Sequence, residues 1–153
     1  MKLSRPLLEC VPNFSEGRDA ARILRIQDAV RSVPGVALLH TDASPAANRT
    51  VLTFAGAPDA VGEAAFRAVQ TAAEVIDMRV QEGVHPRIGA TDVCPFVPLG
   101  GLPPEDALRV AKATAARVGG ELGIPVYLYE HSASALHRRA LPDVRRGHYE
   151  GLP

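Results

Sequence analysis

Two strand-length segments, Val36–Leu39 and Arg49–Ala55, follow one another with only a polar stretch between them. Elsewhere in the first hundred residues the apolar runs are separated by long helical periods or loops. A doubly wound parallel sheet needs a crossover between each pair of its strands, so this adjacency excludes that architecture and calls for an antiparallel pair. The remaining order follows from periodicity. Leu7–Pro12 reads as a first strand. Asp19 is a natural N-cap for a helix whose inner stripe is Ile23, Ile26, Val30 and Val33, and Pro34-Gly35 ends it. Thr41–Asn48 reads as a polar loop. Pro58 opens a second helix with Val61, Ala65, Ala68, Ala72, Val75 and Ile76 inward.

Gly83–Gly89 reads as a loop. Asp92–Leu99 is apolar but contains Pro95 and Pro98, which confines it to a sheet edge or a bulge. Pro103-Pro104-Glu105-Asp106 starts a third helix, with Leu108, Ala111, Ala115, Val118 and Leu122 inward, and Gly123 with Pro125 stops it. Val126–Tyr129 reads as a last strand, and Ser132–Arg146 as a basic, partly helical tail. The resulting order, β-α-β-β-α-β-α-β, predicts an α+β sandwich: a mostly antiparallel sheet with helices on one face, in the split βαβ manner.

The length of 153 residues fits one domain, which is expected to occupy 1–153. Lys+Arg and Asp+Glu number 17 each, so no bulk basic field favours nucleic acid or anionic lipid. There is no Trp for a base-stacking platform. No apolar run approaches the roughly 20 residues of a membrane span, and Met1–Pro6 leads into no signal-peptide core. Cys10 and Cys94 match no zinc or redox spacing, and two reduced thiols in a cytoplasmic protein are expected. The five histidines form no metal-ligand pair at helical spacing, so no metal is expected.

Three polar clusters carry possible chemistry. His85 lies between glycines and before Pro86, with Arg87 next to it, so it is both fixed and accessible. An imidazole titrates near neutrality and a guanidinium fork grips carboxylates. Asp42 and the pair Asn48-Arg49 lie around the second and third strands. Asn13-Phe14-Ser15-Glu16-Gly17 sits at the end of the first strand before a helix, where free amides can receive an anion. For each cluster the alternative is ordinary turn, cap or surface chemistry.

Four segments in register resemble the N-terminal subdomain of glutamate formiminotransferase. They are Glu9-Cys10-Val11-Pro12-Asn13-Phe14-Ser15-Glu16-Gly17, Asn48-Arg49-Thr50-Val51, His85-Pro86-Arg87 continuing to Phe96, and Pro125–Tyr129, with Tyr149-Glu150-Gly151-Leu152 closing the match. The resemblance runs from about Leu7 to Pro153. It implies a ferredoxin-like fold and transfer of a formimino group from N-formimino-L-glutamate to tetrahydrofolate, the co-substrate, in histidine breakdown. It places the catalytic base on His85 and a possible orienting or cation-holding carboxylate on Asp42. Substrate contacts are expected from Asn13, Ser15, Glu16, Asn48, Arg49 and Arg87. The family's Lys-Gly-Glu-His is here Glu82-Gly83-Val84-His85, and its Asp-x-Asp-x-Gly is His40-Thr41-Asp42-Ala43-Ser44. Family enzymes carry a second subdomain, with folate between the two. The chain is therefore expected to supply one wall of a cleft, completed by a partner chain or a homo-oligomer. The competing expectation is a binding or assembly module that keeps the fold without transfer.

Overall fold

The computed structural model describes residues 5–153; Met1–Ser4, which belong to the N-terminal stretch read above for a leader, lie outside the described residues. The strands are β1 (Leu7–Cys10), β2 (Asn13–Phe14), β3 (Val36–Ser44), β4 (Arg49–Gly56), β5 (Thr91–Val93) and β6 (Phe96–Leu99). The helices are α1 (Ala20–Arg31), α2 (Pro58–Val75), α3 (Pro104–Leu122) and the short α4 (Leu141–Val144), with single 3-10 turns at Glu130–Ser132, Leu136–Arg138 and Tyr149–Gly151.

All pairings are antiparallel, and β4 is central: it pairs β3 on one side and both β1 and β2 on the other. β1 then pairs β6, and β2 pairs β5. β1 and β2 are two pieces of one extended run, interrupted at Val11-Pro12, and β5 and β6 are likewise broken at Cys94-Pro95. The prolines thus lie on an edge strand, as expected. Pro98 stands opposite Leu8. Having no N–H, it must be a non-hydrogen-bonded partner whose nitrogen faces the outer edge.

That edge explains one correction. Val126–Tyr129 is not a strand. A further strand laid against β6 would find no amide hydrogen at Pro98, and the segment instead crosses as irregular chain after Ile124. A second correction concerns Thr41–Ser44, which continues β3 rather than forming a loop. Polar residues do not bar a strand where one face is open, and Arg49–Leu52 of β4 supply ladder partners for all four. The ladder shifts register between Leu38 and His40, so the strand survives through a bulge.

The sheet's two faces differ. Leu8, Cys10, Leu52 and Phe54 are fully buried on the face covered by the helices. α2 lays Val61, Ala64, Ala65, Ala68 and Ala72 on it, each without solvent exposure, and α1 adds Ile26 and Val30. The alanines let α2 come close to the strands. Gly62 does the same for α3, since a Cβ there would lie 2.9 Å from Val110 Cγ1. Asp19 caps α1 by accepting from the amides of Ala21 and Arg22, and α3 ends at Gly123 with φ 66°. The opposite face carries Glu9, Asn13, Arg49, Val51 and Thr53. Register puts His40 opposite Thr53 and Asp42 opposite Val51, so both belong to this face. No helix among the described residues is long and apolar enough to cross a membrane.

Candidate functional site

The open face and the loop 82–90 meet at Arg49. This residue begins β4, and its Nη1 donates to Asn13 Oδ1 at 3.0 Å and to His85 Nε2 at 2.9 Å. A guanidinium cannot accept, so Nε2 is the acceptor and the neutral ring carries its proton on Nδ1. Burial holds the His85 pKa below the ordinary 6.5, and the positive charges of Arg49 and Arg145 push it the same way. Asp92 and a backbone contact with Pro86 pull less strongly in the other direction. At neutral pH the ring is therefore an unprotonated base. Arg49 Nε is buried and has no hydrogen-bond partner.

The loop that carries His85 has no regular secondary structure, and its placement depends on side chains from distant segments. Asn48 is buried; its Nδ2 donates to the Glu82 carbonyl at 2.7 Å and its Oδ1 accepts from Gly17 N at 2.9 Å. Its φ of 49° is a conformation that Asn tolerates better than most residues. At the other end of the loop Ser15 Oγ donates to the Gly89 carbonyl at 2.7 Å, and Ser15 N to the Ala90 carbonyl at 2.9 Å. Gly83 packs against the turn before β4, where a Cβ would meet Ala47 O at 2.5 Å.

The predicted site residues therefore divide. His85, Arg49 and Asn13 come together. Asp42 shares their sheet face, is exposed, and has no side-chain hydrogen bond or ion pair among the described residues. Ser15 and Asn48 are loop fasteners. Glu16 is buried, and its Oε1 accepts from the amides of Arg18 and Asp19 while Oε2 pairs with Arg22 at 3.1 Å. The amides before α1 that an anion could have used are thus already taken by Glu16 and Asp19. Arg87 is engaged too: Nε donates to Gln81 Oε1 at 2.6 Å, and Nη2 to Glu150 Oε1 at 2.8 Å.

Residues that sequence reasoning did not single out complete the surroundings. Buried Asp92 pairs with half-buried Arg145, 53 positions away, and Asp92 Oδ1 also accepts from Ile88 N at 3.0 Å. No local pattern in the sequence pairs these two. Behind the loop, on the helix side, lies a cavity of about 1010 Å³ bordered by Ile76, Asp92, Cys94, Thr114, Val118 and Tyr129; His85 does not line it. Burial pushes the Tyr129 pKa up to about 12. Cys10 and Cys94 are free, with sulfurs 3.6 Å apart, and burial raises the Cys10 thiol well above its ordinary value. No group of three or more His, Cys, Asp or Glu side chains suited to a metal ion occurs among the described residues.

A neutral, half-exposed imidazole thus stands beside a guanidinium at the uncovered face of an antiparallel α+β sheet, a pairing that is able to accept a proton and to hold an anion. Residues 7–153 match the family model described as the formiminotransferase domain, N-terminal subdomain, and the chain belongs to that family. It is 49% identical over 147 residues to the formimidoyltransferase-cyclodeaminase of Rattus norvegicus, covering 96% of this chain and 27% of the relative. It is 45% identical over 147 residues to the glutamate formimidoyltransferase of Streptococcus pyogenes serotype M1, covering 96% of this chain and 49% of that enzyme. The glutamate formimidoyltransferase of Thermoplasma acidophilum is 47% identical over 144 residues, 94% of this chain and 48% of the relative. The chain thus spans about half the length of these two bacterial and archaeal relatives and about a quarter of the rat one.

Proposed function

We propose that this chain supplies the proton-transfer half of a formimidoyltransferase, moving the formimino group of N-formimino-L-glutamate to tetrahydrofolate. The observation that carries the reading is the Arg49–His85 contact at 2.9 Å, which makes Nε2 the acceptor nitrogen and adds to burial in keeping the ring neutral. In the reaction N5 of tetrahydrofolate attacks the formimino carbon and a new carbon–nitrogen bond forms. Nε2 of His85 takes the N5 proton. The tetrahedral intermediate then breaks its bond to the glutamate nitrogen, which leaves with a proton returned by an acid.

Arg49 is the group for a substrate carboxylate. Its Nε is buried without a partner, and a carboxylate accepting from this guanidinium would draw it away from His85 and free the Nε2 lone pair. Asn13 steadies the same guanidinium. Asp42, exposed on that face and without a side-chain hydrogen bond or ion pair among the described residues, is the group we assign to the cationic formimino nitrogen; it makes no hydrogen bond to His85 that would support an orienting role. Arg87, Ser15, Glu16 and Asn48 serve by holding the loop and its neighbours rather than by touching substrate.

A ferredoxin-like description of the fold belongs to the same reading. Counting β1 with β2 and β5 with β6 as single strands gives four strands in the order 4-1-3-2, all antiparallel. The uncovered sheet face would form one wall of the site, and the second subdomain of the longer relatives, or a chain equivalent to it, the other. His85→Ala is expected to abolish transfer in the completed enzyme while the circular-dichroism spectrum and melting of the chain stay native. Wild-type turnover by that variant would remove His85 as the base. Calorimetry should find weak or no tetrahydrofolate binding by this chain alone, and submicromolar affinity would overturn the half-site reading.

A further inference from the structure

The C-terminal segment reaches back to the His85 loop through side chains and backbone. Asp92 is one junction. Its side chain is 2% exposed, Oδ2 pairs with Arg145, and Oδ1 accepts from the Ile88 amide at 3.0 Å, so one carboxylate joins the tail to the descending arm of the loop. Arg87 is the second junction. Its side chain is 11% exposed, and it donates to both Glu150 oxygens, to the Gln81 side chain, and to the Gln81 carbonyl at 3.2 Å. The third is main chain: Tyr149 N donates to the Arg87 carbonyl at 2.8 Å. Between Arg145 and Tyr149 the chain turns back through Gly147 at φ 90° and His148 at φ 55°. These left-handed conformations let one short segment present both Arg145 and Glu150 to the loop.

We propose that residues 141–151 form a clamp that positions the His85 loop, with Arg145 and Glu150 as positioning residues for the transfer reaction. The inference rests on reading His85 as the base. The loop has no ladder or helix of its own, so these contacts and those of Asn48 and Ser15 hold the loop, while Arg49 holds the ring itself. Proton transfer demands close placement, and a displacement of about 1 Å can cost on the order of a hundredfold in rate. Neither Arg145 nor Glu150 makes a hydrogen bond or ion pair with His85, so both position it through the loop. The charged groups around the ring are Arg49 from β4, Asp92 from β5 and Arg145 from the clamp. Removing Arg145 deletes a cation and leaves Asp92 uncompensated, and both changes favour the protonated ring.

The test is hydrogen exchange and a ring titration on the full chain carrying Arg145→Gln, Glu150→Gln or Arg145→Lys. Arg145→Gln is expected to speed amide exchange across residues 82–92 at least tenfold, to leave α1 unchanged, and to raise the His85 pKa followed by NMR. Arg145→Lys should restore part of both effects, because it returns the charge without the fork. If Arg145→Gln does not fold, Glu150→Gln takes the charge and one of the two acceptor oxygens from the exposed partner of Arg87 and should still speed exchange around Arg87. Native exchange rates in a folded Arg145→Gln, or in Glu150→Gln where the first does not fold, would overturn the clamp. A loosened loop together with an active His85→Ala would leave the clamp standing and remove the base assignment. A native loop together with an inactive His85→Ala would do the reverse.

Discussion

Arg49 donates to Nε2 of His85 at 2.9 Å, and this places a permanent cation against the nitrogen that would have to accept a proton. The contact selects the Nδ1–H tautomer and opposes protonation.

Arg49→Met should raise the His85 pKa, read by the NMR shifts of the ring protons. Burial is the larger cause of the depression and survives the substitution. The new value should therefore remain below 6.5. A pKa that stays put or falls would show that Arg49 does not act on the ring electrostatically.

His85 also makes folding stability pH-dependent. Its folded-state pKa lies below the unfolded value, so between the two the unfolded chain binds more protons. Its contribution is complete above about pH 6.5 and is lost as pH falls through the folded-state pKa. Urea unfolding of wild type and His85→Gln should show their stability difference shrinking in wild type's disfavour as pH falls from 7.5 to 5. A difference that is flat, or grows in wild type's favour, would contradict the assignment.

Asn48→Ala should destabilise by about 2–4 kcal/mol, because it strips partners from the Gly17 amide and the Glu82 carbonyl and leaves a β-carbon without compensation at positive φ. Asn48→Gly loses the same bonds but tolerates the backbone. It should therefore be less damaging than alanine, by up to about 1 kcal/mol in denaturant titrations. Equal costs would mean that the left-handed conformation contributes nothing.

Gly83→Ala brings a methyl to within 2.5 Å of the Ala47 carbonyl, and the obstacle is backbone that cannot rotate aside. The expected cost is about 1–3 kcal/mol, as for other overpacked positions. Faster exchange should follow at Glu82 and Val84. A neutral substitution would show that the loop yields freely there.

The helices were legible in sequence because their signals are local: Asp19 and Gly35 bracket α1, Pro58 opens α2, and Gly123 closes α3. The edge position of β5 and β6 was legible from two prolines. Val126–Tyr129 reads as a strand by composition and is not one, since a strand needs a partner edge with free donors and acceptors, and no ladder takes this segment up. Thr41–Ser44 reads as a loop and is a strand, since β4 offers it partners.

The candidate site divides along the same line. Local context and the family motifs brought out His85 and the unusual Arg49 at the head of a strand. They also brought out Ser15, Glu16, Asn48 and Arg87 as expected substrate contacts, and folding gives each of them hydrogen-bond partners within the chain. Residue type states what a side chain can donate or accept, whereas its actual partner depends on which distant segments share its neighbourhood. The sequence by itself determined the α+β class, the helix limits and the loop in which His85 stands, all written in short-range periodicity and motif. Only the tertiary structure decided that Arg49 meets His85 and that Asp92 meets Arg145, because pairings across 36 and 53 residues are set by strand register and chain reversal.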